Sequence, residues 1–161
     1  MSISRISPAT GSSPRRASQL LLAYPKLQPV PIRGNVDSRL AQLAAGEYDA
    51  MILAAAGLQR LNLTQHIAAY LDKQQFLPAI GQGAIGIESR CQDLASQALL
   101  KPLEDTITRL CVTAEQAVNQ ILGGGCHTPI AAHAEYDAQY HSLHLSAMVA
   151  ALDGSSEIRV E

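Results

Sequence analysis

The stretch Ile107-Thr108-Arg109-Leu110-Cys111-Val112-Thr113-Ala114-Glu115-Gln116-Ala117-Val118-Asn119-Gln120-Ile121-Leu122 runs directly into Gly123-Gly124-Gly125-Cys126-His127-Thr128-Pro129-Ile130. Ile107, Leu110, Cys111, Ala114, Val118 and Ile121 recur at helical spacing, which predicts an amphipathic helix over 105–122 with Cys111 in the core. The three glycines free the backbone to turn, and Pro129 stiffens the exit. Three short strands are expected next, over 130–135, 143–151 and 157–160, with Asp153-Gly154 as a hairpin turn between the last two. The sum is a small α+β unit, a helix packed on a three-stranded antiparallel sheet, with Cys126 at the helix-to-strand junction. Two readings of Cys126 follow. It is a small apolar residue after a helix stop, or a thiol presented on a loop where its thiolate can attack an electrophile.

Upstream, the pattern changes to alternating helices and strands. Residues 1–10 read as irregular. Ser13-Pro14 reads as N-cap and first residue of a helix carrying Arg15 and Arg16. Arginines in a first turn oppose the helix dipole, unless an anion binds there with the free N–H groups and the Ser12 and Ser13 hydroxyls. The alternative is a pair of solvated surface arginines. Val30-Pro31-Ile32 reads as a short strand, Arg33-Gly34-Asn35 as a turn, and 36–45 as a helix stopped by Gly46, with Arg39 in an early turn. The apolar run 48–54 predicts a buried strand, and 55–61 a short helix carrying Arg60. Thr64 is placed to cap a further helix to about Leu71. This order indicates an open α/β unit, where ligands collect beyond the carboxyl ends of the strands. Beyond it, 84–88 reads as a strand and 93–103 as a helix with Pro102 near its end. The glycines around Gly81, Gly83 and Gly86 do not form a dinucleotide fingerprint.

Composition narrows the function. The chain has 161 residues and a formal net charge of −2, which gives no electrostatic footprint for nucleic acid. No apolar run is long enough to span a bilayer, and the N-terminus lacks a signal-peptide core. Cys91, Cys111 and Cys126 are too few and too scattered for a disulfide framework or a zinc site, so a reducing cytoplasm is expected. His66, His127, His133, His141 and His144 show no metal-ligand spacing, and His141 and His144 read as surface or structural. His127 adjoins the thiol and could favour its thiolate. Arginine outnumbers lysine nine to three. The guanidinium fork grips carboxylate or phosphate in two places, so this bias points to an anionic ligand.

Six segments in order then resemble one family, that of porphobilinogen deaminase (hydroxymethylbilane synthase). They are Gly-Ser-Ser-Pro-Arg-Arg-Ala-Ser-Gln-Leu at 11–20, Ile-Arg-Gly-Asn-Val-Asp-Ser-Arg-Leu at 32–40, and Gly-Glu-Tyr-Asp-Ala at 46–50. The others are Leu-Ala-Ala-Ala-Gly-Leu-Gln-Arg-Leu at 53–61, Leu-Pro-Ala-Ile-Gly-Gln-Gly-Ala-Ile-Gly-Ile-Glu at 77–88, and Gly-Gly-Cys-His-Thr-Pro-Ile-Ala-Ala-His-Ala at 124–134.

The resemblance implies an enzyme that condenses four porphobilinogen molecules head to tail, releasing ammonia, in haem and chlorophyll synthesis. It implies a dipyrromethane cofactor joined by a thioether to Cys126, where a thiolate would trap an electrophilic azafulvene. Ser12, Ser13, Arg15, Arg16, Arg33 and Arg39 would hold the cofactor, and Arg15, Arg33, Arg39 and Arg60 the substrate. The implied architecture is a partial open α/β domain, periplasmic-binding-protein-like, over 1–75. A segment over 76–103 returns to a first domain, and 104–161 is the α+β cofactor-attachment domain. The implied enzyme is a cytoplasmic monomer when full-length, with no nucleic-acid or membrane partner. The chain matches from about residue 10, inside the second domain. The family's catalytic aspartate is therefore expected outside it, and the chain alone is expected not to turn over.

Three positions depart from the family pattern: Thr10-Gly11 stands where Gly-Thr is usual, Gly123 replaces an acid, and Gln116 replaces a common arginine. Two further readings are a non-catalytic carboxylate-binding module of the same fold, and a cysteine hydrolase with His127 or His133 as base. The second lacks any residue marked out for an oxyanion hole.

Overall fold

The computed structural model describes the backbone of residues 5–7, and residues 13–125 and 127–161. Ser12 and Cys126 lie outside the described residues, as do Thr10 and Gly11. The first half forms a three-stranded parallel sheet of β1 (Arg5–Ser7), β2 (Gln28–Pro29) and β3 (Ala50–Met51), in the order β2-β1-β3. Helices α1 (Pro14–Ala23), α2 (Val36–Ala44) and α3 (Ala55–Arg60) follow the three strands in turn. Ser13 caps α1, its hydroxyl accepting from the Arg16 N–H, and Asn35 caps α2 by accepting from the Ser38 N–H.

Several expectations change here. Residues 5–7, read as irregular, form the central strand. The second strand lies at Gln28–Pro29, where it pairs with Arg5 and Ile6 of β1, and not at 30–32. The run 48–54 contributes only two strand residues, and these are half-buried. Thr64 caps nothing: residues Thr64–His66 make a single 3₁₀ turn, and no helix reaches Leu71. The stretch 84–88 forms no strand and is exposed, with Ile85 at 74% and Ile87 at 56%. A strand needs a neighbour to complete its ladder, and alternating residues alone do not supply one.

In the second half, α4 (Leu94–Leu100) is capped by Asp93, and α5 (Thr106–Ile121) by Asp105. Gly123 adopts φ +62°, the left-handed turn that ends α5 without a Cβ clash. Strands β4 (Ile130–Asp137), β5 (Ser142–Ala150) and β6 (Glu157–Val160) form an antiparallel sheet in chain order, with Ile130 opposite Val149 and Asp137 opposite Ser142. The β5–β6 turn is pressed onto α1. A Cβ on Gly154 (φ +70°) would lie 2.4 Å from the Leu21 Cβ and 3.0 Å from backbone, so only glycine fits.

The apolar face of α5 is less covered than its periodicity suggests. Ile121 is 84% exposed, Ile107 and Leu110 are exposed, and Cys111 is half-buried instead of in the core. The core lies elsewhere, in Leu77, Ala131, Met148 and Ala150, with Leu22 of α1 packed on it. It therefore joins the two halves through Leu77, a residue of neither sheet.

Candidate functional site

In a parallel sheet ordered β2-β1-β3, the chain leaves the central strand towards one edge and then crosses to the other. The crevice beyond the carboxyl ends, at that reversal, is where such sheets bind ligands. The helices that follow the strands bring arginines to this end, Arg15 and Arg16 in the first turn of α1 and Arg39 in α2, while Arg60 lies in the last turn of the short α3. Arg33 sits in the turn before α2 and is exposed.

The solvated-arginine alternative does not survive for α1. Arg15 and Arg16 are each only 6% exposed, and Arg39 is 9% exposed. Arg15 donates from Nη1 to the Leu77 carbonyl at 2.6 Å, and Arg16 from Nη1 to the Ile52 carbonyl at 3.3 Å. Burial, reinforced by the neighbouring Arg16 charge, pulls the Arg15 pKa down to about 10. Burial and then the charge of Arg39 lower Arg16. Arg16 thus stands close enough to Arg15 on one side and Arg39 on the other for their charges to repel. Arg15 and Arg39 join no ion pair among the described residues. The Arg39 Nε is buried with no hydrogen-bond partner among them. Buried donors of this kind need an acceptor, and a carboxylate supplies the strongest.

Much of the site's order comes from the loop 77–83, which the sequence did not mark as polar machinery. Gln19 of α1 brackets Leu77: its Oε1 accepts the Leu77 N–H at 2.7 Å, and its Nε2 donates to the Leu77 carbonyl at 3.0 Å. Gln82 Oε1 lies 3.5 Å from Arg16 Nη2, and the Gly83 carbonyl accepts from Arg60 Nη2 at 2.7 Å. From the other half, Glu115 Oε2 accepts the Gly81 N–H at 2.6 Å. Glu115 is the only acid in α5, and spacing puts it on one stripe with Cys111 and Val118. A lone carboxylate in an apolar stripe is the signal that could have found it.

Two cavities have no arginine in their lining. The larger, about 740 Å³, opens beside β4 and β5 and is lined by His133, Glu135, Asp137, His144 and Glu161 among others. Its carboxylates give it the wrong sign for a polyanion. The smaller, about 310 Å³, lies between the loop at Gly81 and the α5 face carrying Cys111 and Glu115. His133 stands between two carboxylates, its Nδ1 3.4 Å from Glu115 and its Nε2 3.6 Å from Glu135. His127, His141 and His144 are exposed. Among the described residues no group of three or more His, Cys, Asp or Glu side chains gathers as a metal site. No helix among them is long and apolar enough to cross a membrane.

The fold and this site define an α/β protein whose parallel-sheet unit collects guanidinium groups beyond its strand ends and whose second unit is a helix on an antiparallel sheet. Family models carry the assignment further. Residues 4–98 match the model described as porphobilinogen deaminase, dipyromethane cofactor binding domain, and residues 109–161 match the porphobilinogen deaminase C-terminal domain. The chain belongs to the porphobilinogen deaminase family. It is 55% identical over 148 residues to the porphobilinogen deaminase of Coxiella burnetii (strain RSA 493 / Nine Mile phase I), which is 92% of this chain and 48% of that protein. The Acidithiobacillus ferrooxidans (strain ATCC 53993 / BNL-5-31) porphobilinogen deaminase is 49% identical over 150 residues, 93% of this chain and 48% of its own length. That of Bordetella parapertussis (strain 12822 / ATCC BAA-587 / NCTC 13253) is also 49% identical, over 93% of this chain and 47% of its own length. The chain spans about half the length of the curated relatives it matches.

Proposed function

We propose that this chain is the carboxylate-gripping and cofactor-anchoring part of a hydroxymethylbilane synthase, which joins four porphobilinogen molecules head to tail with release of ammonia in tetrapyrrole synthesis. The observation that carries this reading is the cluster of Arg15, Arg16 and Arg39 beyond the parallel strands, with the Arg39 Nε left without an acceptor. Each pyrrole of the substrate bears an acetate and a propionate, so the growing product is a polyanion that such a cluster fits.

Cys126 would hold the dipyrromethane through a thioether, and Ser12, Ser13, Arg15, Arg16, Arg33 and Arg39 would bind its carboxylates. When bound, the group supplies the primer on which pyrroles are added. Arg15, Arg33, Arg39 and Arg60 would bind incoming substrate. A guanidinium has five donor hydrogens, so the bond from Arg15 to Leu77 leaves others for a carboxylate. The side chains of Arg33 and Arg60 are exposed and can reach ligand from solvent.

In the enzyme, residues 1–75 belong to the second α/β domain, 76–103 return to a sheet of the first, and 104–161 form the cofactor-attachment domain. The exposed Ile85 and Ile87 support the middle assignment, since apolar side chains of this size ordinarily find cover. The free cysteines Cys91 and Cys111 suit the cytoplasm. The monomeric state rests on the family resemblance.

Titration of the purified protein with porphobilinogen tests the site. Arg39→Ala removes a buried charged donor set and should weaken binding about tenfold or more, the worth of one charge-assisted hydrogen bond. Arg33→Ala, at an exposed position, should weaken it without disturbing the fold. Wild-type affinity in both variants would overturn the assignment.

A further inference from the structure

Glu115 is the buried residue of α5, at 5% exposure on a helix whose neighbouring turns are open to solvent. A carboxylate is placed there at a cost unless its oxygens are fully bonded. They are. Oε2 accepts the Gly81 N–H at 2.6 Å, and Oε1 accepts the Ala134 N–H at 2.9 Å with the His133 ring nitrogen at 3.4 Å. One side chain therefore joins three pieces of chain: the loop 77–83, helix α5, and β4. Strand β4 is an edge strand in the order β4-β5-β6, so N–H groups on its free side need acceptors from outside the sheet.

Gly81 is one residue from Gln82, which faces Arg16, and two from Gly83, whose carbonyl takes the Arg60 donor. The loop is thus held from the arginine side by Gln19, Arg15, Arg16 and Arg60, and from the opposite side by Glu115. We propose that Glu115 is a positioning residue: by fixing Gly81 and Ala134 together it sets the loop 77–83, and with it the Arg16 and Arg60 side chains, in register with the strand that leaves the cysteine loop. The coupling to ligand rests on the functional reading above, whereas the positioning itself does not. Glu115 makes no contact with the arginine cluster, so its effect on ligand runs through the loop. The groups facing it are His133 and, beyond His133, Glu135 with its ion-pair partner Lys73, together with Cys111 on its own helix.

The test is Glu115→Gln, which keeps the shape. A glutamine has one acceptor oxygen, so its NH₂ must face either the Gly81 or the Ala134 N–H and that donor is left unmet. Amide hydrogen exchange on the ligand-free protein should quicken about tenfold or more at Gly81 and its neighbours or at Ala134, with α1 amides unchanged. In the ligand titration the Kd for porphobilinogen should rise several-fold. Unchanged exchange at both amides, or faster exchange throughout the protein, overturns the positioning role. Faster local exchange with an unchanged Kd overturns the coupling to the arginines. A wild-type protein that ignores porphobilinogen defeats the functional reading, and the exchange pattern still decides the role of Glu115.

Discussion

Residues 77–83 and residues 84–90 are consecutive, both rich in apolar side chains, and opposite in environment. In the first, Leu77 is 1% exposed, and its backbone is bonded by Gln19 and Arg15. Gly81 and Gly83 are bonded by Glu115 and Arg60. In the second, every residue is exposed and the expected strand is missing. Apolar character is shared, so it does not explain the difference. Side chains from α1, α3 and α5 satisfy the backbone of the first stretch, whereas in the second only the Arg90 carbonyl, at its very end, takes a side-chain donor among the described residues, from Gln97 Nε2 at 3.1 Å. Polar groups from afar, aimed at main-chain N–H and C=O, can order a loop that has neither helix nor sheet.

The strongest way to break this contrast is at Gln19. Gln19→Ala strands the Leu77 N–H in the core and removes one of two donors from its carbonyl. We expect a loss of about 2–3 kcal/mol in denaturant unfolding. A loss below about 0.5 kcal/mol would show that the bracket is incidental.

Acid is the next lever. Burial opposes the Glu115 charge, but the bonds from His133, Gly81 and Ala134 outweigh it and hold the carboxyl below its ordinary range. A folded-state value below the unfolded one means that the carboxylate stabilises the fold fully above about pH 4.3. That contribution is lost as pH falls from there through the depressed folded value. Wild type should therefore lose stability in this window more steeply than Glu115→Gln. Parallel pH profiles would contradict the bonding pattern.

The smallest effect is expected in the second stretch. Ile85→Ser and Ile87→Ser change exposed side chains and should alter stability by less than about 0.5 kcal/mol.

These cases also mark what could be read from the sequence. Helix α1 with its Ser13 cap, helix α5 with its glycine stop, and the β5–β6 hairpin at Asp153-Gly154 all depend on residues within a few positions of one another. The sequence displays such patterns directly. The arginines at 15, 16, 39 and 60 were legible as a group because each falls in or beside a helix that follows a strand. Their burial was not, since it depends on Leu77 and Ile52, dozens of residues away. Gln19 carries no local signature for the same reason, its partner lying 58 residues distant; Glu115 stands out as a lone acid in an apolar stripe, but what it bonds lies 34 residues away. The run 84–88 shows the reverse error, a correct strand periodicity with no ladder among the described residues to join. Cys111 shows it too, because helical spacing predicted a core that α5 covers only in part.

In the proposed enzyme a thiol tethers acidic pyrroles within reach of buried guanidinium groups. Intact-mass measurement of the purified protein, followed by peptide mapping, tests it most directly. We predict a covalent increment of two pyrrole units on the peptide holding Cys126, absent in Cys126→Ser. A wild-type protein with the mass of its bare sequence and a free thiol at position 126 would contradict it.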